Sequence, residues 1–258
     1  MELSIIITSY HQAEILKTCI ESIKQNLVLS DYEIIEIDSD SQEDTKLMMK
    51  DFPEIKFIPL KDNSGFQEAV RRGYEVSSGR HILVMNGDMV VKPGAIEKLL
   101  GYIKNDPSVG LVGPKLFGFN DELQPSCFRY YTPLTIIYRR TILGKFQFAQ
   151  KHLDNFLMKD FDHNSLKDVD WLMGSALMTS RKAIDEVGLM DPRFKMYFED
   201  VDWCRRFWEN GFRVVYNPDA QMYHYHGKGS AGKNLITLIT NKLAWLHLIS
   251  AVKFFLKY

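Results

Sequence analysis

The sequence predicts an α/β fold, a mainly parallel sheet flanked by helices with a helix at the C-terminus, on three observations. Short β-branched runs alternate with segments whose apolar residues recur at three- and four-residue spacing, the pattern of strand–helix units that assemble a parallel sheet. These runs end in polar turns rich in Asp, Ser and Asn, the edge at which open parallel sheets bind ligands. Glu199, Asp200 and Asp202 crowd between aromatic residues just ahead of an apolar-periodic segment, and carboxylates placed there are costly unless they move charge or protons.

Leu3 to Thr8 reads as a strand covered on both faces, and Ser9-Tyr10-His11-Gln12 ends it. Residues 13 to 26 carry Ile15, Leu16, Cys19, Ile20 and Ile23 at helical spacing, a helix packed on that strand. Tyr32 to Ile37 repeats the unit and runs into Asp38-Ser39-Asp40-Ser41, a turn rich in helix-capping side chains. Asp38, first after the strand, has a positional reason to face a ligand, and a turn-forming role accounts for it equally well. Ile55 to Ile58 predicts a third strand, followed by Asn63-Ser64-Gly65-Phe66 and a helix holding Ala69, Arg71, Arg72 and Gly73. Gly65 permits close backbone approach; Arg71 and Arg72 either meet an anion or face solvent. His81 to Met85 is a buried-type strand ending in Asn86-Gly87-Asp88. Its amide and carboxylate, two apart on extended chain, point the same way and suit a hard divalent cation.

Val109 to Pro114 predicts another strand. From Lys115 to Lys167 clean periodicity is lost, and Phe128-Arg129-Tyr130-Tyr131 precedes an aliphatic stretch with Arg139, Arg140 and Lys145. That mixture fits a loop packed over the core, or an amphipathic surface that meets a membrane face or a partner. Glu199 and Asp200 fall in the first turn of a helix whose apolar positions are Val201, Cys204, Phe207 and Trp208. One acid would cap it, so the others are candidates for chemistry. Asp202 is spaced to hold Arg206 one turn on. Met222 to His226 alternates as a strand, with His224 and His226 on one face as candidate metal ligands. Gly227 to Gly232 has the glycine spacing of a dinucleotide loop, without the strand and acid that this motif needs. Leu235 to Leu256 predicts one long helix, docked on the domain by default, with membrane-surface contact or self-association as a homodimer the alternative.

With 258 residues, 45% hydrophobic and 12% aromatic, the chain can bury the core of one large domain or two closely packed halves. A net charge of −1 argues against broad capture of nucleic acid. Cys19, Cys127 and Cys204 are widely spaced with no Cys-x-x-Cys pair, which suits a reducing compartment. No signal-peptide pattern precedes Leu3 and no apolar run of about 18 residues occurs. The expected location is the cytoplasm, with the inner face of the membrane as an option raised by the amphipathic segments.

Taken together and in order, these strings resemble glycosyltransferase family 2, of Rossmann-like GT-A fold, and most closely its bacterial rhamnosyltransferase-like branch that builds cell-surface polysaccharide. The resemblance covers residues 3 to about 230. It rests on Ser4 to Tyr10, Asp38 with its Ser/Asp turn, Asn63 to Phe66 with Ala69 and Gly73, Asn86-Gly87-Asp88, Asp170 to Ser175, Met196 to Asp202, Gly211 to Ala220 and the His224 tail. It implies a single domain over 1–230, with 1–115 binding nucleotide-sugar and 116–230 holding the acceptor and catalytic groups, and 231–258 as a C-terminal amphipathic helix. The implied activity is an inverting, metal-dependent transfer of a sugar, rhamnose in that branch, from a nucleoside diphosphate donor to a glycan or lipid-linked acceptor.

The resemblance also implies roles. Asp38, Asp40, Asn63, Gly65 and Arg71 would contact the nucleotide-sugar, Asp38 through the base and Arg71 through the diphosphate. Asp88, with Asn86 beside it, stands where the family's Asp-x-Asp holds Mg2+ or Mn2+. The amide replaces the first acid and leaves Asp88 as the firm ligand. His224, or His226 as fallback, would complete the metal shell, and imidazole tilts the preference towards Mn2+. Asp200 matches the general base and Glu199 its acidic neighbour, while Trp171 and Gly174 would line the acceptor sugar. Two other readings stand beside this one. A sugar-1-phosphate nucleotidyltransferase would carry a Gly-rich loop where Ser9 to Gln12 has none, and a carbohydrate- or nucleotide-binding module would have no use for Asp88, Asp200 and His224 together.

Overall fold

The computed structural model describes residues 1–225 and 241–258. The first strand, β1 (Leu3–Ser9), is buried along its length. Leu3, Ile5 and Ile7 enter one hydrophobic core and Ile6 the other, as alternation requires of a strand covered on both faces. Helix α1 (Ala13–Asn26) sinks Leu16, Cys19, Ile20 and Ile23 into the first of these cores. Strand β2 (Tyr32–Asp38) runs parallel to β1, and the short α2 (Glu43–Met48) leads to β3 (Lys56–Pro59), parallel to β2. Helix α3 (Phe66–Val76) then returns the chain to β4 (His81–Asn86), parallel to β1 on its other side. Ser9 pairs with Asp38 and Thr8 with Asn86. The parallel pairing therefore gathers all three polar turns on one edge.

The second half adds β5 (Met89–Val91), α4 (Ala95–Asn105) and β6 (Val109–Phe117). Two short strands follow, β7 (Leu123–Gln124) and β8 (Cys127–Phe128). Residues 115–167, read as a loop over the core or an amphipathic surface, contain α5 (Pro133–Arg140) and α6 (Gln147–Phe156). Thr132 caps α5 by accepting from the Thr135 N–H, and Pro133 follows it, a start signal with a fixed φ. The chain continues through β9 (Lys167–Asp168), β10 (Trp171–Leu172), β11 (Ala176–Ser180), α7 (Arg181–Val187), α8 (Glu199–Glu209), β12 (Arg213–His224) and α9 (Lys242–Lys257). The main sheet has the order β3-β2-β1-β4-β11-β6-β12-β5.

Strand β11 lies antiparallel between β4 and β6, an insertion that local reading misses. Ala176-Leu-Met-Thr-Ser180 has no β-branched run, and both its neighbours, not its own propensity, make it a strand. The terminal helix was expected from Leu235. It is observed from Lys242, and its expected first turns, His226 and the Gly227–Gly232 loop lie outside the described residues. The three cysteines are buried free thiols.

Helix α3 reaches β1 at Gly73, where a Cβ would lie 2.4 Å from Ile6 Cγ2. Gly73→Ala is therefore expected to lower stability by about 1–3 kcal/mol through overpacking, seen as a lower urea midpoint with unchanged slope. A midpoint at the wild-type value would mean that the helix shifts freely on the sheet.

Candidate active site

The turns at the C-terminal edge of β1, β2 and β4 form one wall of a cleft of about 520 Å³, a size usual for small-molecule sites. Trp171, Gly174, the start of α8 and His247 of α9 come from the other half of the chain to line it. Tyr197 and Phe198 have φ of 67° and 69°, left-handed values that bulky residues adopt only when packing holds them. Phe198 is buried against Tyr131 and Phe254. This turn starts α8 at the cleft, so Glu199 and Asp200 occupy its first turn.

Asp200 Oδ2 accepts from the Gly174 N–H at 3.0 Å and Oδ1 from the Val201 N–H at 2.8 Å. Burial outweighs these stabilising bonds and pushes its carboxyl from 3.8 up to about 6. Glu199 is 9% exposed, and its Oε2 has no hydrogen-bond partner. Burial and then the Asp200 charge push it well above the usual carboxylate range. Of the two, Glu199 is the one whose protonated form burial and its neighbour favour more, which leaves Asp200 the member more readily ionised, the state a general base needs.

A Cβ on Gly174 would lie 3.2 Å from Asp200 Cβ. The close approach that this glycine permits is thus to the carboxylate as well as to the cleft. Trp171 is buried, stacks on Phe128 at 4.3 Å and donates from Nε1 to Arg129 O at 2.8 Å. Most of its indole belongs to the core, and it presents only part of itself to the cleft.

Strand β12 pairs with β5 in the register His224–Met89, which carries His224 to Asp88. His224 Nε2 lies 3.4 Å from Asp88 Oδ1, and the Gln124 amide nitrogen meets Nδ1 at 2.9 Å. Among the described residues Asp88 Oδ1 is buried with no hydrogen-bond partner, a costly state for a carboxylate oxygen. An oxygen and an imidazole nitrogen facing each other fit a divalent cation that takes its remaining ligands from phosphate and water. Among the described residues no group of three or more His, Cys, Asp or Glu gathers to hold a metal by itself. The donor set is one that a bound diphosphate would complete.

The remaining expected residues divide. Asn86 and Asn63 line the cleft. Asp38 does not: it is 1% exposed, accepts from Ser9 Oγ at 2.7 Å, and leaves the next residue, Ser39, at the wall. Asp40 is half-buried beside the cleft residues, paired with His11 at 2.9 Å, and is not part of the lining. Gly65 has φ 101°, and a Cβ there would meet Lys195 O at 2.4 Å, so its freedom serves a chain crossing. Arg71, expected at the diphosphate, is instead held by Glu68 and Glu75 along its own helix and stays off the cleft. Helical i,i+3 and i,i+4 spacing supplied both partners locally.

Tyr131, Arg139 and His247 line the cleft and were not singled out for it. Arg139 Nη1 donates to Tyr131 Oη at 2.6 Å. Among the described residues His247 Nδ1 is buried with no hydrogen-bond partner, and burial with the charges of Arg140 and Arg139 pulls the imidazole down to about 3. The aromatic and basic run was visible, but its place at the cleft depends on how α5 folds back. His247 sits on the buried stripe of α9 and carries no local signal.

A family model described as Glycosyl transferase family 2 matches residues 4–188. The chain is 28% identical over 194 residues to N-acetylglucosaminyl-diphospho-decaprenol L-rhamnosyltransferase of Mycobacterium tuberculosis, covering 71% of this chain and 62% of that protein. It is 24% identical over 270 residues to chondroitin synthase of Escherichia coli, covering 95% and 39%. The chain thus spans less than two thirds of the length of either relative. The solved structure of GalNAc-T7 with UDP, GalNAc and Mn2+ superposes with a TM-score of 0.66 over 87% of this chain and 43% of that one, at 14% identity, which bears on the fold. The family match runs through the parallel strand ends, the Asp88 turn and Gly174, the same residues that the fold brings to the cleft, and the chain belongs to glycosyltransferase family 2 and has the GT-A fold.

Proposed function

We propose that the chain moves a sugar from a nucleoside diphosphate donor to a hydroxyl of a glycan or lipid-linked acceptor, with inversion at the anomeric carbon, in cell-surface polysaccharide synthesis. Rhamnose is the sugar in the name of the Mycobacterium tuberculosis relative and is the donor sugar we propose. One observation carries this reading: a carboxylate with its pKa near neutral and the Asp88–His224 pair line the same cleft.

In the proposed reaction Asp200 takes the proton of the acceptor hydroxyl as its oxygen bonds to the anomeric carbon. The bond from that carbon to the diphosphate oxygen breaks on the opposite face, and one displacement inverts the centre. The Gly174 N–H fixes the Asp200 carboxylate in place, and the upward shift of Glu199 favours its protonated form, which would add no second charge to repel the developing oxyanion. Asn63, Ser39 and Asn86 offer hydrogen-bonding groups to the donor along the strand edge. Held by Asp88 and His224, Mn2+ or Mg2+ would supply Lewis-acid stabilisation of the charge on the departing diphosphate.

Calorimetric titration with UDP, dTDP and GDP, with and without Mn2+, tests the donor site. One of them is expected to bind in a metal-dependent way, and Asp88→Ala to weaken it by at least about tenfold, as loss of a principal metal ligand would. Failure of all three to bind, or equal affinity with and without Mn2+ in both proteins, overturns the assignment of Asp88.

A further inference from the structure

Two segments of the chain contain no Asp or Glu, residues 132–153 and 242–258, and the fold places them side by side. They hold α5 with the first seven residues of α6, ahead of Asp154, and α9. They meet where the Tyr131 ring, just ahead of α5, lies 6.2 Å from the His247 ring of α9 and where the Arg139 and Arg140 charges act on that imidazole.

Helix α9 is apolar on two sides. Ala244, His247, Ala251 and Phe254 are buried on the domain. Trp245, Ile249, Val252 and Leu256 are 51%, 47%, 57% and 83% exposed, and their spacing of four, three and four sets them in one stripe along the outer face. On the neighbouring segment Leu134, Ile137, Ile142, Phe146 and Phe148 are exposed as well, Ile142 to 71%. Single exposed apolar residues need no account, but an extended cluster of them does. Arg139, Arg140, Lys145 and Lys151 on one segment, and Lys242 and Lys253 on the other, are interleaved with it.

Charge decides between the occupants. A second copy seated face to face would bring two surfaces together on which basic residues outnumber the one acid, Asp154, itself paired with Lys159, whereas an anionic headgroup layer complements them. A spanning role does not arise, because among the described residues no helix is long and apolar enough to cross a membrane.

We propose that the joint face of α5, α6 and α9 docks peripherally on a bilayer that carries anionic lipid, its apolar side chains at headgroup depth and its basic ones on the phosphates. The proposal does not depend on the transferase reading. It does connect with it, since α5 gives Arg139 and α9 gives His247 to the cleft wall, so docking brings that end of the cleft to the lipid surface.

Cosedimentation of the full chain with vesicles of phosphatidylcholine alone, and of phosphatidylcholine with phosphatidylglycerol, tests it. Each basic residue near an anionic surface favours binding by about fivefold, so at least tenfold tighter binding to the anionic vesicles is expected, weakening with salt. Ile142→Glu combined with Leu256→Glu alters two side chains that are 71% and 83% exposed. This variant should keep its circular dichroism spectrum and lose binding by about tenfold or more. Wild-type protein left in the supernatant with both vesicles, or equal binding by the double variant, overturns the proposal. So does a dimer seen by light scattering that the double variant abolishes while vesicles bind neither protein, an outcome that assigns the face to a second copy.

Discussion

Asp200→Asn is expected to lower kcat by about 10²–10⁴-fold while leaving nucleoside diphosphate affinity nearly unchanged. The amide oxygen can still accept from the Gly174 N–H, so the geometry that the 3.0 Å bond fixes survives, while the second oxygen, which accepts from the Val201 N–H at 2.8 Å, is lost together with the proton acceptor. The pH profile separates this from a structural effect. In the proposed reaction ionised Asp200 is the active form, so wild-type turnover should reach a plateau above its pKa of about 6 and fall about tenfold per pH unit well below it. Asp200→Asn should lack that limb.

Stability moves the other way. A carboxyl whose folded pKa is raised supports the fold fully only below its unfolded value, here 3.8, and that support is lost as pH rises through about 6. At neutral pH Asp200→Asn should therefore cost no more than the lost Val201 hydrogen bond, about 1 kcal/mol, offset by removal of the buried charge. Unchanged turnover, or a large drop in Tm accompanying the loss of turnover, would remove Asp200 from the role of base.

The second large effect concerns folding. Asp202 is fully buried and is met by Arg206 Nε at 2.9 Å, Tyr258 Oη at 3.0 Å and Lys257 Nζ. The side chains of Arg206 and Lys257 are each only 17% exposed. Asp202→Ala removes the shared partner of two largely buried cations, leaving Lys257 its pair with Asp191 at 3.0 Å and Arg206 the Val187 and Leu189 carbonyls, and should cost about 3 kcal/mol, the low end for a broken buried pair, measured as the shift in urea midpoint. Because Asp202 ties the start of α8 to the end of α9, the same variant should raise amide exchange in α9 more than in β1. A cost below about 1 kcal/mol would mean that water replaces the carboxylate and that α9 is held by its apolar stripe alone.

Asp202 also shows how far local reading goes. Its pairing with Arg206 follows from helical spacing, and the structure has it. Its pairing with Lys257 and Tyr258 joins residues more than fifty positions apart, and no periodicity carries that. The strand–helix alternation of the first half was legible for the same reason: hydrophobic period and turn chemistry act within a few residues. Strand β11 was not legible, because its extended state comes from the two strands it joins.

The candidate site divides along the same line. The order of Asp88, Gly174, Glu199 and Asp200 along the chain, and their residue types, were determined by the sequence alone, as was membership of glycosyltransferase family 2. Tertiary structure alone decided the neighbours. It turned Asp38 under Ser9 and put Ser39 at the wall, spent Arg71 on helix partners, moved His224 beside Asp88 through the β12–β5 register, and brought Arg139 and His247 in from elements with no local mark of a site. Backbone preferences and hydrophobic period are short-range and survive in a single sequence, whereas burial, which raises the Asp200 pKa and leaves the Asp88 oxygen and the His247 nitrogen without hydrogen-bond partners among the described residues, exists only once distant segments have packed.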